Sequence, residues 1–309
     1  MPPPAALRAD IESLPHFRER DFPREREHPE SGARVRYPGP FARFARTPIR
    51  YERIAPRLGE HTAEVLAERR KPRALPERGA ARALPLEGVK VLDLFWVLAG
   101  PAATRVLAEY GATVVHVEST RRLDTIRAVP PYKGSVPGPE NGAAVQGANA
   151  GKLCMTLDLA HPDSRPVIEA LVRWADVVTE SFAPGVAGRM GLDYESLRRI
   201  KPDLIVISSC LMGQTGSLRA FAGFGNLAAS VTGFQLYAGW PDRAPAGPAG
   251  AYTDYISARY NAIAILAALE HRRRTGEGQY IDQSQAEAAF HFLAPELLDH
   301  SLTGRTRTR

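Results

Sequence analysis

The residues Ala249-Gly250-Ala251-Tyr252-Thr253-Asp254-Tyr255 run straight into the largely apolar, alanine-rich segment 256–269. They place one carboxylate, Asp254, where a Gly/Pro-rich loop turns into a long helix. A carboxylate at a helix N-terminus is favoured as the anion by the dipole and by backbone N–H groups that no helical turn has claimed. Two readings follow: a helix cap, or a nucleophilic carboxylate on a rigid element. The stretch by itself does not choose between them.

Other chemistry-bearing residues are less organised. Ser208-Ser209-Cys210 lacks the G-x-S-x-G frame of a nucleophile elbow. Of eight histidines, His16, His28 and His61 lie in the N-terminal segment, His116 in an expected strand, and the rest on or beside helices. None pairs at metal-ligand spacing, so no metal site is expected and each is read as structural or exposed. Cys154 and Cys210 form no C-x-x-C and read as buried thiols of a reducing cytoplasm. Glu118 reads as a strand-end group. At the first strand–turn–helix, Val97-Leu98-Ala99-Gly100-Pro101-Ala102-Ala103 carries one glycine. That is not the G-x-G-x-x-G of a dinucleotide site, although small residues there allow close backbone approach of a ligand.

These residues need a frame. From Gly88 onward, buried-strand runs at 89–94, 112–117, 153–159, 177–182 and 204–210 alternate with helical segments ending at Tyr110 and spanning 164–174 and 194–200. That alternation predicts an α/β fold: a Rossmann-like, doubly wound parallel sheet with flanking helices, whose ligands bind outside the strand carboxyl ends. A helix at 226–231, the Asp254 helix to about Arg274, a strand at 280–282 and a helix at 286–300 bent at Pro295 complete it. The Pro- and Gly-rich loop 119–151 is long enough to expect a functional role. Residues 1–48, rich in Pro, Arg and Glu, read as an irregular arm, laid on something else or partly disordered. Phe17, Phe22, Tyr37, Phe41 and Phe44 are placed to pin it. A strand at 49–51, a helix at 62–69 capped by Thr62, and a linker at 71–86 follow.

The net charge of +6 sits in residues 1–82, which hold 18 Lys+Arg against 12 Asp+Glu, while the remainder is balanced. The arm's arginines alternate with glutamates and prolines, so no nucleic-acid partner is expected. The longest apolar runs, such as 262–269, are too short to span a membrane, and the N-terminus lacks the pattern of a secretory signal. A cytoplasmic protein is expected.

The combination of blocks is more specific. Leu86-Glu87-Gly88-Val89-Lys90-Val91-Leu92-Asp93-Leu94, Val97-Leu98-Ala99-Gly100-Pro101 and Gly111-Ala112-Thr113-Val114-Val115-His116-Val117-Glu118 resemble the opening of the family III CoA-transferases. The likeness continues through Lys152, Leu157-Asp158-Leu159, Ala175-Asp176-Val177-Val178, Phe182-Ala183-Pro184-Gly185, Arg189-Met190-Gly191, Gly213-Gln214-Thr215-Gly216, Asp254 and Arg274-Thr275-Gly276-Glu277-Gly278-Gln279, in family order over residues 85–303. The resemblance implies that Asp254 is the catalytic aspartate. In the family that carboxylate attacks an acyl-CoA thioester to give a mixed anhydride. The released CoA thiolate then forms an aspartyl-CoA thioester, and a carboxylic acid acceptor takes the CoA. It also implies oxyanion contacts from backbone N–H groups near Leu98-Ala99 and around Asp254, coenzyme A as substrate, and no permanently bound cofactor.

By position, the resemblance implies CoA contacts from Val97, Leu98 and Ala99, from Lys152 and Leu157, and from Ser181, Phe182, Arg189, Met190 and Phe224. Phosphate contact is expected of Lys152 and Arg189. Arg127, three residues after Asp124, resembles the family's G-D-x-x-R, with Leu123 in place of the glycine. Ser181 replaces an Asn, and Gly223-Phe224-Gly225-Asn226 replaces the usual G-Y-D. The acyl-CoA racemase branch has a His at the position of Phe224, and a phenylalanine cannot abstract a proton. Residues 16–69 resemble the family's C-terminal end. The division expected is an arm and linker at 1–82 and a CoA-binding, catalytic domain at 83–309, without the family's small domain. Such an order suggests the junction, or a fragment, of two fused copies. The partner expected is a second copy in an interlocked homodimer, or a complementing chain. Alternatives to transfer are an acyl-CoA racemase or isomerase, or a non-catalytic CoA-binding subunit.

Overall fold

The computed structural model describes residues 11, 13–28, 31–51, 53, 55–68 and 84–306; positions 71–83 of the expected linker lie outside them. The arm contributes three short strands, β1 (Arg24–Glu27), β2 (Arg34–Tyr37) and β3 (Ala42–Phe44). The apolar runs that follow form β4 (Lys90–Leu94), β5 (Thr113–Glu118), β6 (Leu153–Thr156), β7 (Val177–Glu180), β8 (Ile205–Cys210) and β9 (Tyr280–Ser284). Their sheet runs β3-β9-β8-β7-β4-β5-β6, with β4 to β9 all parallel. Helices Ala99–Glu109 and Tyr252–Thr275 cover one face, packing Leu107, Ala264, Ile265 and Ala268 on Val91, Val177 and Ile207. Helix Ser164–Trp174 covers the other, with Ile168 and Val172 against Leu92, Val178 and Val206. Burial on both faces is why the central strands are unbroken apolar runs.

The order of β4 to β9 is that of a Rossmann sheet, and the strand order reverses between β4 and β7. A crevice opens outside the carboxyl ends at such a switch point. Two strands end earlier than their apolar runs suggest. At β7 the chain leaves the ladder because Glu180 Oε2 takes the Phe182 N–H at 2.7 Å. On β6 it turns away at Leu157, whose N–H still reaches Glu118 O at 2.7 Å. Because β6 is the edge strand, with Leu153 and Thr156 also exposed, Cys154 is exposed rather than buried. The 119–151 loop is ordered by helix Ala143–Asn149 and two short 3-10 turns. Residues 49–51 form no strand. The arm's sheet contact is β3 instead, antiparallel to β9, because Ala42 and Phe44 alternate into the core beside Ile281. Helix Thr62–Ala67 is preceded by His61 at its cap, and Thr62 is its first residue. The 286–300 segment does not bend at Pro295: it breaks into a 3-10 turn at His291–Leu293, and helix Ala294–Thr303 restarts with the proline in its first turn.

The arm is held by one buried cation. Arg20, 2% exposed, follows helix Pro15–Glu19. Its Nε and Nη2 donate to the two oxygens of Glu287 at 2.6 and 3.0 Å, and its Nη1 donates to Asp282 Oδ2 at 2.9 Å and Thr215 Oγ1 at 2.6 Å. Burial alone would lower its pKa; hydrogen bonds and charge from Glu287 and Asp282 outweigh that and hold it above the ordinary arginine value. The block Gly213-Gln214-Thr215-Gly216 is shaped around this contact. A Cβ on Gly213 would stand 2.5 Å from the Arg20 guanidinium carbon, and one on Gly216 2.5 Å from His16 Nδ1. Phe17 and Phe22 then pack against Phe290, with ring centroids 5.0 and 5.2 Å away.

Replacing Arg20 by Met leaves Asp282 and Glu287 without their cation inside the protein. We expect a loss of about 3–5 kcal/mol in urea unfolding. Combining it with Asp282→Asn and Glu287→Gln should recover much of that loss, whereas a pair that contributes nothing would leave the single variant at wild-type stability.

Candidate active site

The turn after β4 carries the first half of the site. Val97 adopts φ 70°, a left-handed conformation that a β-branched residue takes only when its surroundings impose it. Three contacts do so. The Val97 N–H donates to both Asp124 carboxylate oxygens at 3.0 and 2.9 Å, the Trp96 N–H donates to Ser181 Oγ at 3.2 Å, and Trp96 Nε1 donates to Val117 O at 3.3 Å. Helix Ala99–Glu109 starts at once, so the N–H groups of its first turn lie outside the helical ladder.

Beneath the turn lies a chain of buried charges. Asp93, fully buried, accepts from Thr104 Oγ1 (2.8 Å), Thr179 Oγ1 (2.8 Å) and Lys152 Nζ (2.9 Å). Burial works to raise its pKa; the Lys152 charge, with help from His116, prevails and holds it well below the carboxylate range. His116 stands 3.4 Å from Asp93 and 3.4 Å from Glu118, too long for strong hydrogen bonds but close enough for ion pairing. Against the effect of burial, those two carboxylates raise it to about 9. Glu118 accepts from Arg127 at 2.6 Å and from the Asp124 N–H at 3.0 Å, which fixes the carboxylate that holds Val97.

Asp254 supplies the second half. Its helix begins three residues earlier than a cap at Asp254 would place it, at Tyr252 with Ala251 at the cap, so Asp254 sits in the first turn and is not itself the cap. It is 5% exposed. Gln285 Nε2, at the start of helix Gln285–Phe290, donates to Asp254 Oδ1 at 2.6 Å and to Thr253 Oγ1 at 3.0 Å; the Thr253 hydroxyl in turn donates to Gly225 O at 2.7 Å. Gly225 approaches so closely that a Cβ there would lie 2.9 Å from Asp254 Cγ, which leaves its backbone amide beside the carboxylate. Burial raises the Asp254 pKa above the ordinary aspartate value, and the Gln285 bond and the Gly225 amide only offset part of it. The helix start therefore does not by itself secure the anion, because desolvation is the larger effect. Gln285 is not marked by any residue pattern of catalysis. Its only sequence signal is position, next to Ser284, which caps that helix by accepting from the Glu287 N–H.

Two cavities meet at Asp254, one of about 530 Å³ and one of about 1360 Å³, and Val97, Leu98, Phe224 and Asp254 line both. The smaller also touches Trp96, Ala99, Ser181, Pro184, Arg122, Arg219 and Gln285. Of the residues that the resemblance implies, Val97, Leu98, Ala99, Ser181 and Phe224 are thus brought together around the aspartate. The others are not. Lys152 has a side chain 1% exposed and is committed to Asp93, so it is neither a free phosphate contact nor a solvated charge. Arg127 is held by Glu118 and Glu140. Leu157, Phe182 and Met190 pack against the core cluster under helix Ser164–Trp174, and Arg189 is exposed at the end of the short helix Val186–Arg189. The cations on the smaller cavity's wall are instead Arg122, stacked 5.6 Å from the Trp96 ring centroid, and Arg219. Sequence spacing did not single them out because each lies in a loop with no periodic pattern. Among the described residues, no cluster of three or more His, Cys, Asp or Glu is set to hold a metal, and no helix is long and apolar enough to cross a membrane.

Comparison with known proteins fits this geometry. The model of CoA-transferase family III matches residues 86–309. A succinate–glutarate CoA-transferase of Agrobacterium fabrum is 39% identical over 73% of this chain and 57% of its own length. An acetyl-CoA:oxalate CoA-transferase of Acetobacter aceti is 34% identical over 73% and 57%. A CAIB/BAIF family protein from Brucella suis superposes with a TM-score of 0.68 at 35% identity, covering 73% of this chain and 60% of that one. The chain thus spans a little over half the length of these relatives. On the match over 86–309, and on relatives of this similarity, the chain belongs to CoA-transferase family III.

Proposed function

We propose that the protein moves coenzyme A from an acyl-CoA to a carboxylic acid, with Asp254 as the covalent carrier. The observation that carries this reading is a buried carboxylate at the meeting point of two cavities, with the Val97–Leu98 turn on the wall of both. Asp254 attacks the thioester carbonyl and the C–S bond breaks, giving a mixed anhydride and CoA thiolate. The thiolate adds to Asp254 Cγ and the original acid departs with one aspartyl oxygen. The acceptor carboxylate then attacks the aspartyl-CoA thioester, and the returning thiolate takes the new acyl group. Backbone N–H groups of the Leu98–Ala99 turn serve the oxyanion at the substrate carbonyl. Phe224 offers no proton-abstracting group beside Asp254, which favours transfer over racemisation. A second copy, or a complementing chain, is the partner proposed to close the site; two relatives from Chloroflexus aurantiacus are named as alpha and beta subunits of one CoA-transferase.

The nucleotide end of CoA is assigned to the smaller cavity. Arg122 and Arg219 are exposed at its rim while Asp254 is buried. The long pantetheine arm separates thiol from phosphates, so hydrated phosphates at the rim suit both ends. The relatives' names include succinate, glutarate and oxalate, so succinyl-CoA with glutarate is the starting assay.

Incubation with succinyl-CoA should add the mass of CoA less one water to the chain, and hydroxylamine should convert the adduct to a hydroxamate mapped to Asp254. Asp254→Ala should form none; an adduct that persists in that variant would exclude the mechanism. Arg122→Gln with Arg219→Gln should raise the KM for succinyl-CoA about tenfold or more, since each charge-assisted contact contributes about 1.5–3 kcal/mol. The KM for succinyl-pantetheine, which lacks the nucleotide, should not change. Equal weakening of both donors would remove the phosphate assignment.

A further inference from the structure

We infer that Gln285 is a catalytic residue that serves the aspartyl carbonyl of Asp254 itself, as the oxyanion donor for attack on Cγ. The inference rests on Asp254 being the covalent carrier. Each transfer involves two kinds of carbonyl: the substrate's, attacked first and last, and the aspartyl carbonyl, attacked by thiolate and then by the acceptor acid. The second kind needs its own donor, because the negative charge develops on an aspartyl oxygen and not on the substrate.

Gln285 is placed for that oxygen. Its Nε2 lies 2.6 Å from Asp254 Oδ1. Thr253 fixes the orientation of the amide: its hydroxyl donates to Gly225 O and accepts the second Gln285 N–H. The reversed amide would set its oxygen against the carboxylate. With Oδ1 held, Oδ2 is the attacking atom and carries the acyl group in the anhydride. When thiolate adds to Cγ, the carbonyl electron pair moves to Oδ1 beside the Gln285 N–H. The Cγ–Oδ2 bond then breaks and the acid leaves with that oxygen. The acceptor's attack on the aspartyl-CoA thioester places charge on the same Oδ1 and releases thiolate. Gln285 is 5% exposed and lines the smaller cavity with Asp254, so its donor is preorganised and largely shielded from solvent.

Gln285→Met keeps the length of the side chain and removes the donor. The test uses the full chain with succinyl-CoA on the alkaline plateau of the rate–pH profile, where Asp254 is ionised in both proteins. A thiol reagent reports release of CoA, and intact mass reports CoA attached to the chain. We expect thiol release at close to the wild-type rate and adduct formation slowed about 10²–10³-fold, the loss typical of one oxyanion donor. Should Gln285→Met fold poorly, Gln285→Asn, which withdraws the amide by one methylene, should show the same split. Equal slowing of both steps, or an unchanged adduct rate, would overturn the inference while leaving Asp254 as carrier. Failure of the wild-type chain to release thiol or form the adduct would instead remove the reading on which it rests, and the inference with it.

Discussion

Asp93 is the point on which the site depends. It is a fully buried carboxylate at the end of the first strand of the parallel sheet, next to the switch point. Its two oxygens gather Thr104 from the following helix, Thr179 from β7 and Lys152 from the segment leading into β6, while its Oδ1 also accepts the Phe95 N–H at 3.3 Å. An unpaired charge there would be very costly, and removing Lys152 would leave one, while removing either threonine would take away a buried hydrogen bond. These contacts therefore tie three other elements to β4. Through His116 and Glu118 the same set of charges reaches Asp124, which imposes the left-handed Val97. The turn that shares the cavity walls with Asp254 is thus shaped from below by ion pairs.

A second constraint comes from the opposite edge of the sheet. The Arg20 contact joins the arm to Asp282 on β9 and Glu287 on the helix that also begins with Gln285. The helix that presents the Asp254 donor is therefore seated partly by a side chain more than two hundred residues away in sequence. Residues 16–28 and 31–44 are in this sense part of the packing of the same fold, although a composition rich in Arg, Glu and Pro marks them as an irregular arm.

Most of the fold was legible because it rests on local signals. Apolar runs of strand length separated by helical patterns fix the parallel sheet, and the Asp254 helix is closed by Gly276 with three arginines in its last turn. Asp254, Val97, Leu98, Ala99, Ser181 and Phe224 were legible through resemblance, and the fold brings them to one place. What was not legible depends on pairing across the chain. Lys152 and Arg127 are cations that the resemblance places on CoA, but their carboxylate partners, Asp93 and Glu118, sit in strands where sequence gives no hint of the pairing. Gln285 is neutral and looks like an ordinary first-turn residue until Thr253 and Asp254 are seen beside it. The arm's strand was expected at 49–51, seven residues beyond its observed place, because the arm has no periodicity; only the facing β9 decides which residues pair.

The central claim is that Asp254 passes one of its own oxygens through every transfer. An acceptor acid labelled with oxygen-18 in its carboxylate provides the direct measurement. If Asp254 forms an anhydride with the acceptor and the acceptor's acyl group then leaves on CoA, one labelled oxygen stays behind. After several turnovers the peptide containing Asp254 should gain the isotope mass, with the label localised to that side chain. A peptide that stays unlabelled while labelled acceptor is converted to its CoA thioester would contradict the account.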